Sequence, residues 1–379
     1  MKKTFLSSML ILTFSTNFIY ANEYEFDFDD LKELETKSYE YNGYIKSEHK
    51  YQILNESSPK YTVKYPTKNK DDMQSYFGQA LLDFKYFKDK FTFNTELMAY
   101  YENIDKEQSD NFSLNEAFVN YKYNTNHQIN LGKKNAAWGK GYFFNPIAFI
   151  DRKKDPNEPE LSKEGFIQVN YKYNKVYESS LQNFAFDVSY LKTTKDFNED
   201  LYEDNSNILA LKAYFLYKDI DIDLAYFYSD ESSNKYAIDF STNLETNFEI
   251  HGEFARADDG DYSYLLGIKY LTESELTIIS EYFYRNNQLS KDTSFWDNRY
   301  FINKFTQKEL FEFLYSSIYY KNSLNLSDNS NQNSLGFIYT GFKNFEIDFS
   351  ISKFFGDNTS EFGAKLVDRY SWLQVKYNF

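Results

Sequence analysis

Few residues in this chain are spaced for catalysis. Its histidines, His49, His127 and His251, stand far apart, and none belongs to an H-E-x-x-H run. A G-x-S-x-G turn and a phosphate-binding glycine loop are also missing. With no cysteine, a thiol nucleophile, a thiolate metal site, a disulfide scaffold and a lipid-carrying cysteine are excluded. No cofactor and no metal are expected. The residues that do gather are charges. Lys133, Lys134 and Lys140 lead into an insertion running from about Asn135 to Gly165, and Arg152, Lys153 and Lys154 cluster within it. Asp151, Asp155, Glu158, Glu160 and Glu164 oppose them. Facing rows of opposite charge across a narrow aqueous passage create a transverse field that sorts solutes. Self-pairing on a solvated loop is an equally open reading. A second set lies on regular segments: Glu116, and Glu281 with Arg285. Alternation with Leu276, Ile278, Tyr282 and Tyr284 predicts that the latter two face water.

The elements that must position these charges repeat every second residue. Ile220, Ile222, Leu224, Tyr226 and Tyr228 alternate with Asp221, Asp223, Ala225, Phe227 and Ser229. Phe248, Ile250, Gly252 and Phe254 alternate with Glu249, His251, Glu253 and Ala255. Successive strand side chains point to opposite faces, so each run has one apolar and one polar face. Helical spacing would set apolar residues three and four apart. The runs have the length of a tilted transmembrane strand. Short turns, Lys88-Asp89-Lys90, Asn124-Thr125-Asn126 and Lys218-Asp219, alternate with longer polar loops. Aromatic residues make up 21% of the chain, with 37 Tyr and 38 Phe, which suits strands with one lipid-facing side. The final run, Tyr370 to Phe379, places Leu373, Val375, Tyr377 and Phe379 on one face. That pattern resembles the signal read by barrel-assembly machinery.

The N-terminus sets the compartment. Lys2 and Lys3, the apolar stretch Phe5 to Phe14, and Ile19-Tyr20-Ala21 predict a secretory signal peptide over residues 1–21. Its removal takes the formal charge from −15 to −17, since Lys2 and Lys3 leave with no acid. That balance argues against nucleic-acid binding and weakly favours cations. Residues 22–37 are read as a short acidic segment, too few for an energy-coupling plug. No later stretch is apolar for about 18 residues, the minimum for a membrane helix. The expected fold over 38–379 is therefore all-β: an antiparallel up-and-down transmembrane β-barrel of about 18 strands, with 16 possible. Strand starts include Tyr76, Phe112 and Ser334, and a short strand near Glu309 is the least defined. A lipid bilayer leaves no water for free backbone groups, so such a sheet must close, and either count encloses an aqueous lumen.

The insertion at 135–165 is the third loop on the extracellular side. It holds three of the five prolines, Pro146, Pro156 and Pro159, with Trp138, Phe143, Phe144, Ile147, Phe149 and Ile150. Folded into the lumen, these would be buried and the loop would form a constriction; covering the rim is the alternative. Long loops of this kind are functional or disordered. Glu199-Asp200 with Glu203-Asp204, and Asp258-Asp259 with Asp261, are acidic clusters in loops, read as solvated surface rather than cation sites.

Several runs together resemble large single-chain outer-membrane porins of the alginate-export-like kind and related porin-like families. They are Leu114-Asn115-Glu116-Ala117-Phe118-Val119, Leu131-Gly132-Lys133-Lys134 with Trp138-Gly139 and Asn145-Pro146, and Glu281-Tyr282-Phe283-Tyr284. Leu326 to Ser330, Phe355-Gly356 and Ser360 to Gly363 complete the likeness. Lys133 matches the family in charge only, and Lys134 stands where glutamine is usual. The resemblance implies a channel-forming barrel in the bacterial outer membrane. The expected activity is passive diffusion of small hydrophilic solutes or ions. A non-conducting receptor or envelope-polymer binding barrel is the alternative, and outer-membrane lipid and lipopolysaccharide are the expected surroundings.

Overall fold

The computed structural model describes residues 37–67, 69–201, 205–286 and 299–379. The expected signal peptide, the acidic segment up to residue 36, and the pair Glu203-Asp204 lie outside the described residues. No helix among the described residues is long and apolar enough to cross a membrane.

From Tyr39 onward the regular structure of the described residues is nearly all strand. The order begins β1 (Tyr39–Leu54), β2 (Asp72–Lys88), β3 (Phe91–Ile104), β4 (Glu107–Lys122), β5 (His127–Lys134) and β6 (Phe166–Val176). It continues through β7 (Leu181–Lys192), β8 (Asn207–Tyr217), β9 (Ile220–Ser229), β10 (Lys235–Glu245), β11 (Phe248–Ala257) and β12 (Tyr262–Leu271). The last six are β13 (Leu276–Arg285), β14 (Arg299–Lys308), β15 (Ser316–Asn325), β16 (Ser330–Tyr339), β17 (Phe345–Phe355) and β18 (Val367–Asn378). Each strand pairs antiparallel with the next, in an 18-stranded sheet. β18 returns to β1, from Tyr44 opposite Asn378 to Leu54 opposite Val367. Gly43 and Phe379 exchange two backbone hydrogen bonds of 3.0 Å across that seam. The sheet is therefore a closed barrel with no free edge, as a bilayer requires.

The period of two sorts the side chains as the sequence predicts. Ile238, Leu266, Leu335 and Ile351 are exposed on the outside, while Asp239, Ser334 and Ser352 on the same strands face inward. Outward rings form girdles near both ends. Tyr39, Tyr41 and Phe84 stack at one end, and Tyr226 with Tyr236 and Tyr264 with Tyr284 pack at the other. Turns at the first end are short, which marks it as periplasmic. The other end carries the long loops, including residues 55–71, where a one-and-a-half-turn helix α1 (Pro59–Lys64) is capped by Ser58.

Two corrections concern boundaries. β2, β4 and β16 begin several residues earlier than expected. The strand expected near Glu309 is instead Arg299–Lys308, and Glu309 opens a periplasmic turn. Glu309, Phe311, Glu312 and Tyr315 all have φ between 48° and 62°, a left-handed backbone that cannot continue a strand. The apolar run from Leu310 to Leu314 mimics a strand in composition alone.

Candidate functional site

Residues 135–165 leave β5 at the extracellular end and turn inward. Every large apolar side chain of the loop singled out from sequence is buried: Trp138, Phe143, Phe144, Ile147, Phe149 and Ile150. They fall into two clusters against the inner wall. Trp138, Ile147, Phe149 and Ile150 pack on Ile208, Ala210, Ala225, Phe227, Ala237 and Ala255. Ala225, Ala237 and Ala255 lie side by side across β9, β10 and β11, and their small side chains leave room for the loop. Phe143 and Phe144 pack on Leu265, Phe283, Tyr300 and Ile302, with Phe362 from the last extracellular loop. The rings of Phe144 and Phe283 stack 4.4 Å apart.

A loop has backbone donors with no ladder to join, and buried donors must be paired. Here wall carboxylates accept them. Glu253 of β11 accepts from the backbone N–H of Lys140 at 2.6 Å and of Gly141 at 2.7 Å through one oxygen. Its other oxygen accepts from Ile147 N–H at 3.2 Å. Glu281 of β13 accepts from the N–H groups of Tyr142 and Phe143, the latter at 2.9 Å. His251 of β11 lies between Glu281, at 3.0 Å, and Glu249, at 3.3 Å. This contact needs Gly267 on β12, where a Cβ would come within 2.1 Å of the His251 ring. Within the loop, Asp151 accepts from three successive N–H groups, Ala136, Ala137 and Trp138. Gly139 follows at φ +108°, and this bend brings the chain to Glu253.

The other end of the loop is held on β3 and β4. Asn115 is the extra residue of a bulge: Glu96 faces Glu116, while Leu97 faces Leu114. A bulge turns two neighbouring side chains the same way, so Asn115 and Glu116 both reach the loop. Glu116 accepts from Asn135 N–H at 2.7 Å. Asn115 donates to Ser162 Oγ at 3.1 Å, and its carbonyl accepts from Gly165 N–H at 2.9 Å. Ser162 also hydrogen-bonds Glu96. A third tether joins Lys321 of β15 to the carbonyl of Pro156. Among eighteen strands, β3 lies opposite β12, so the contacts on β3 and on β11 and β13 are diametrically opposed. An 18-strand barrel is roughly 35 Å across, and this loop spans it.

The charges predicted to line water divide into several groups. Lys140 reaches Asp223 of β9 at 3.1 Å, which Lys212 approaches at 3.6 Å. Burial acts to lower the Lys140 ammonium, but Asp223 and Asp239 outweigh it and hold its pKa above the usual lysine value. Lys134 faces inward, 4.7 Å over the Phe118 ring, and donates to Asn135 O. Arg152 pairs with Glu164 and with Asp200, the self-pairing alternative. Lys154 donates to the carbonyl of Gly141. Lys153, Lys154 and Arg285 line a cavity of about 680 Å³ with Lys235, Phe144 and Phe149, between the loop and the extracellular ends of β10–β13. Two assignments need correcting. Lys133 shares the outward register of Ile129 and Leu131, between Ala117 and Ile167, and pairs with Glu164 at the rim. Glu281, at 0% exposure, touches no open water and is a loop anchor, while Trp138 is loop core. Sequence reasoning placed Glu253, Glu249 and His251 on a polar strand face without giving them a role. Nothing local marks Glu253 and Glu249, because their loop partners lie more than a hundred residues away.

No family profile matches this chain, and no curated protein sequence matches it. Solved structures do resemble it. Wzi of Escherichia coli, an outer-membrane protein involved in group 1 capsule assembly and a carbohydrate-binding β-barrel, aligns with a TM-score of 0.56 at 11% identity, over 89% of this chain and 84% of its own. OccAB4 of Acinetobacter baumannii gives 0.57 at 9% identity, over 91% of this chain and 99% of its own. A triply substituted porin of Rhodopseudomonas blastica gives 0.50 at 13% identity, over 90% and 100%. At such identities the likeness is one of fold. With its closed sheet and apolar outer band, the chain is a porin-like β-barrel of the bacterial outer membrane, crossing it with many strands.

Proposed function

We propose that the barrel is a passive channel for small hydrophilic solutes, and that residues 135–165 form its constriction. The observation that carries this reading is the loop tethered to opposed walls: Ser162 on Glu96 at one side, Lys140 to Phe143 on Glu253 and Glu281 at the other. A loop so held narrows the lumen without sealing it by sheet. Lys153, Lys154, Lys235 and Arg285 line the extracellular approach and would act on solutes first. Glu116 and Glu281 both accept backbone N–H groups of this loop, and Trp138-Gly139 forms the bend that brings it to Glu253.

Planar-bilayer recording tests the reading. The wild type should give discrete open steps, and deletion of 140–160 should raise step conductance and speed liposome swelling by disaccharides. Unchanged conductance and selectivity after the deletion would refute the constriction. A second reading, a non-conducting barrel that binds an envelope polymer, is favoured by the similarity to the carbohydrate-binding Wzi. Silence in bilayers together with retention of the protein on immobilised surface polysaccharide would establish it instead.

A further inference from the structure

Of the 42 basic residues only five are arginine: Arg152, Arg256, Arg285, Arg299 and Arg369. All five lie at the extracellular end, in the third loop or at the outer ends of β11, β13, β14 and β18. Arg152, Arg256 and Arg285 are among the residues around the interior cavity. Register turns the strand positions Arg256, Arg299 and Arg369 outward. Arg369 lies 3.7 Å from Asp368. Arg256 and Arg299 are exposed and have no ion pair among the described residues.

Their neighbours form a tyrosine patch. Arg256 sits opposite Tyr236 on one side and Tyr262 on the other. Arg299 sits opposite Tyr284, itself opposite Tyr264, and its guanidinium lies 5.8 Å over the Tyr284 ring. Tyr284 packs 5.6 Å from Tyr262 and 5.2 Å from Tyr264. The acids at this rim are Asp258, Asp259 and Asp261, of which Asp258 accepts a hydrogen bond from Asn234.

An outward arginine is unfavourable in hydrocarbon and tolerated near the interface, so this position points to the headgroup level. There the planar guanidinium, with five donors in a fixed fork, matches phosphate oxygens in a way lysine does not. β11 and β14 are three strand spacings apart, about 14 Å, enough for two phosphates on one headgroup. Tyrosine rings between them offer apolar faces to sugar and hydroxyls to its polar groups. We propose that Arg256 and Arg299, with Tyr236, Tyr262, Tyr264 and Tyr284, form a binding site for a phosphorylated glycolipid of the outer leaflet. The lipid clamps the outer face of β11–β14, behind the wall that carries Glu253 and Glu281.

The test uses the full protein in detergent and lipid A carrying two phosphates, with binding read by native mass spectrometry. The wild type should bind it, and Arg256→Gln/Arg299→Gln should lower affinity about tenfold or more. Arg256→Lys/Arg299→Lys should fall between, and Arg369→Gln should match the wild type. Heat-modified electrophoretic mobility checks that each barrel is closed, and the lysine pair serves if the glutamine pair does not close. Dephosphorylated lipid A should bind weakly to every variant, and millimolar inorganic phosphate should not displace the intact lipid. Equal affinity across the variants, equal binding of the dephosphorylated lipid, or full displacement by inorganic phosphate would overturn the proposal. So would a cross-linked second copy of the chain occupying this face in place of lipid.

Discussion

Replacing Glu253 by glutamine keeps the size of the side chain and removes its charge and one acceptor. The carboxylate now accepts three loop N–H groups, from Lys140, Gly141 and Ile147. A hydrogen bond to a charged group contributes about 1.5–3 kcal/mol, a neutral one about 0.5–1.5 kcal/mol. The amide keeps two neutral bonds and turns its NH2 against Ile147 N–H, leaving that donor unsatisfied at about 1–3 kcal/mol. The combined loss is roughly 3–5 kcal/mol of local docking energy. Since about 1.4 kcal/mol is a factor of ten, the undocked population of residues 138–147 should rise by roughly two to three and a half orders of magnitude. The anchors at Glu281, Glu116 and Glu96 remain, so the barrel stays closed and the loop opens only in part. Single-channel traces should show added current noise and brief excursions to larger conductance, and limited proteolysis should cut the loop faster. A folded variant with wild-type noise, conductance and proteolysis would show that wall carboxylates do not hold this loop.

Lys140→Met leaves Asp223, 1% exposed and paired across the sheet with Asp239, with Lys212 at 3.6 Å as its remaining ion pair among the described residues. The expected destabilisation is about 3 kcal/mol, the low end for a broken buried pair, read by urea unfolding in detergent; Asp223→Asn in the same chain should recover part of it. Ala237→Leu overfills the floor beneath Phe149 and Ile150, at about 1–3 kcal/mol, and should increase channel noise more than it lowers the unfolding midpoint. Glu361, in the last extracellular loop, has its carboxyl raised above 4.5 by burial, against the lowering effect of Tyr300, Asn325 and Lys365. A carboxyl raised on folding contributes stability that is complete below its unfolded pKa and is lost as pH rises through the folded one. Hydrogen exchange of residues 356–366, corrected for intrinsic rates, should therefore be slower at pH 4 than at pH 8. Glu361→Gln should remove the difference, and an opposite pH trend would refute the assignment.

The sequence by itself determined the architecture. Alternation in runs such as Ile220 to Ser229 permits only strands with one wet and one apolar face, and a bilayer permits only a closed set of them. The third loop was legible too, because Trp138, Phe143 and Ile147 have no place in water and must find a wall. Which wall was decided by the tertiary structure alone. Loop N–H groups meet Glu253 and Glu281 because the barrel curves β11 and β13 around to them, and no spacing along the chain encodes that approach. The bulge at Asn115 doubles the inward side chains where strict alternation would allow one. The outward turn of Lys133 follows from its strand register, which a run of neighbouring lysines does not reveal. Composition likewise took Leu310 to Leu314 for strand, whereas left-handed residues at Glu309, Phe311, Glu312 and Tyr315 break the backbone there. Periodicity is a local property of a strand, but contact across a lumen depends on how the whole sheet closes.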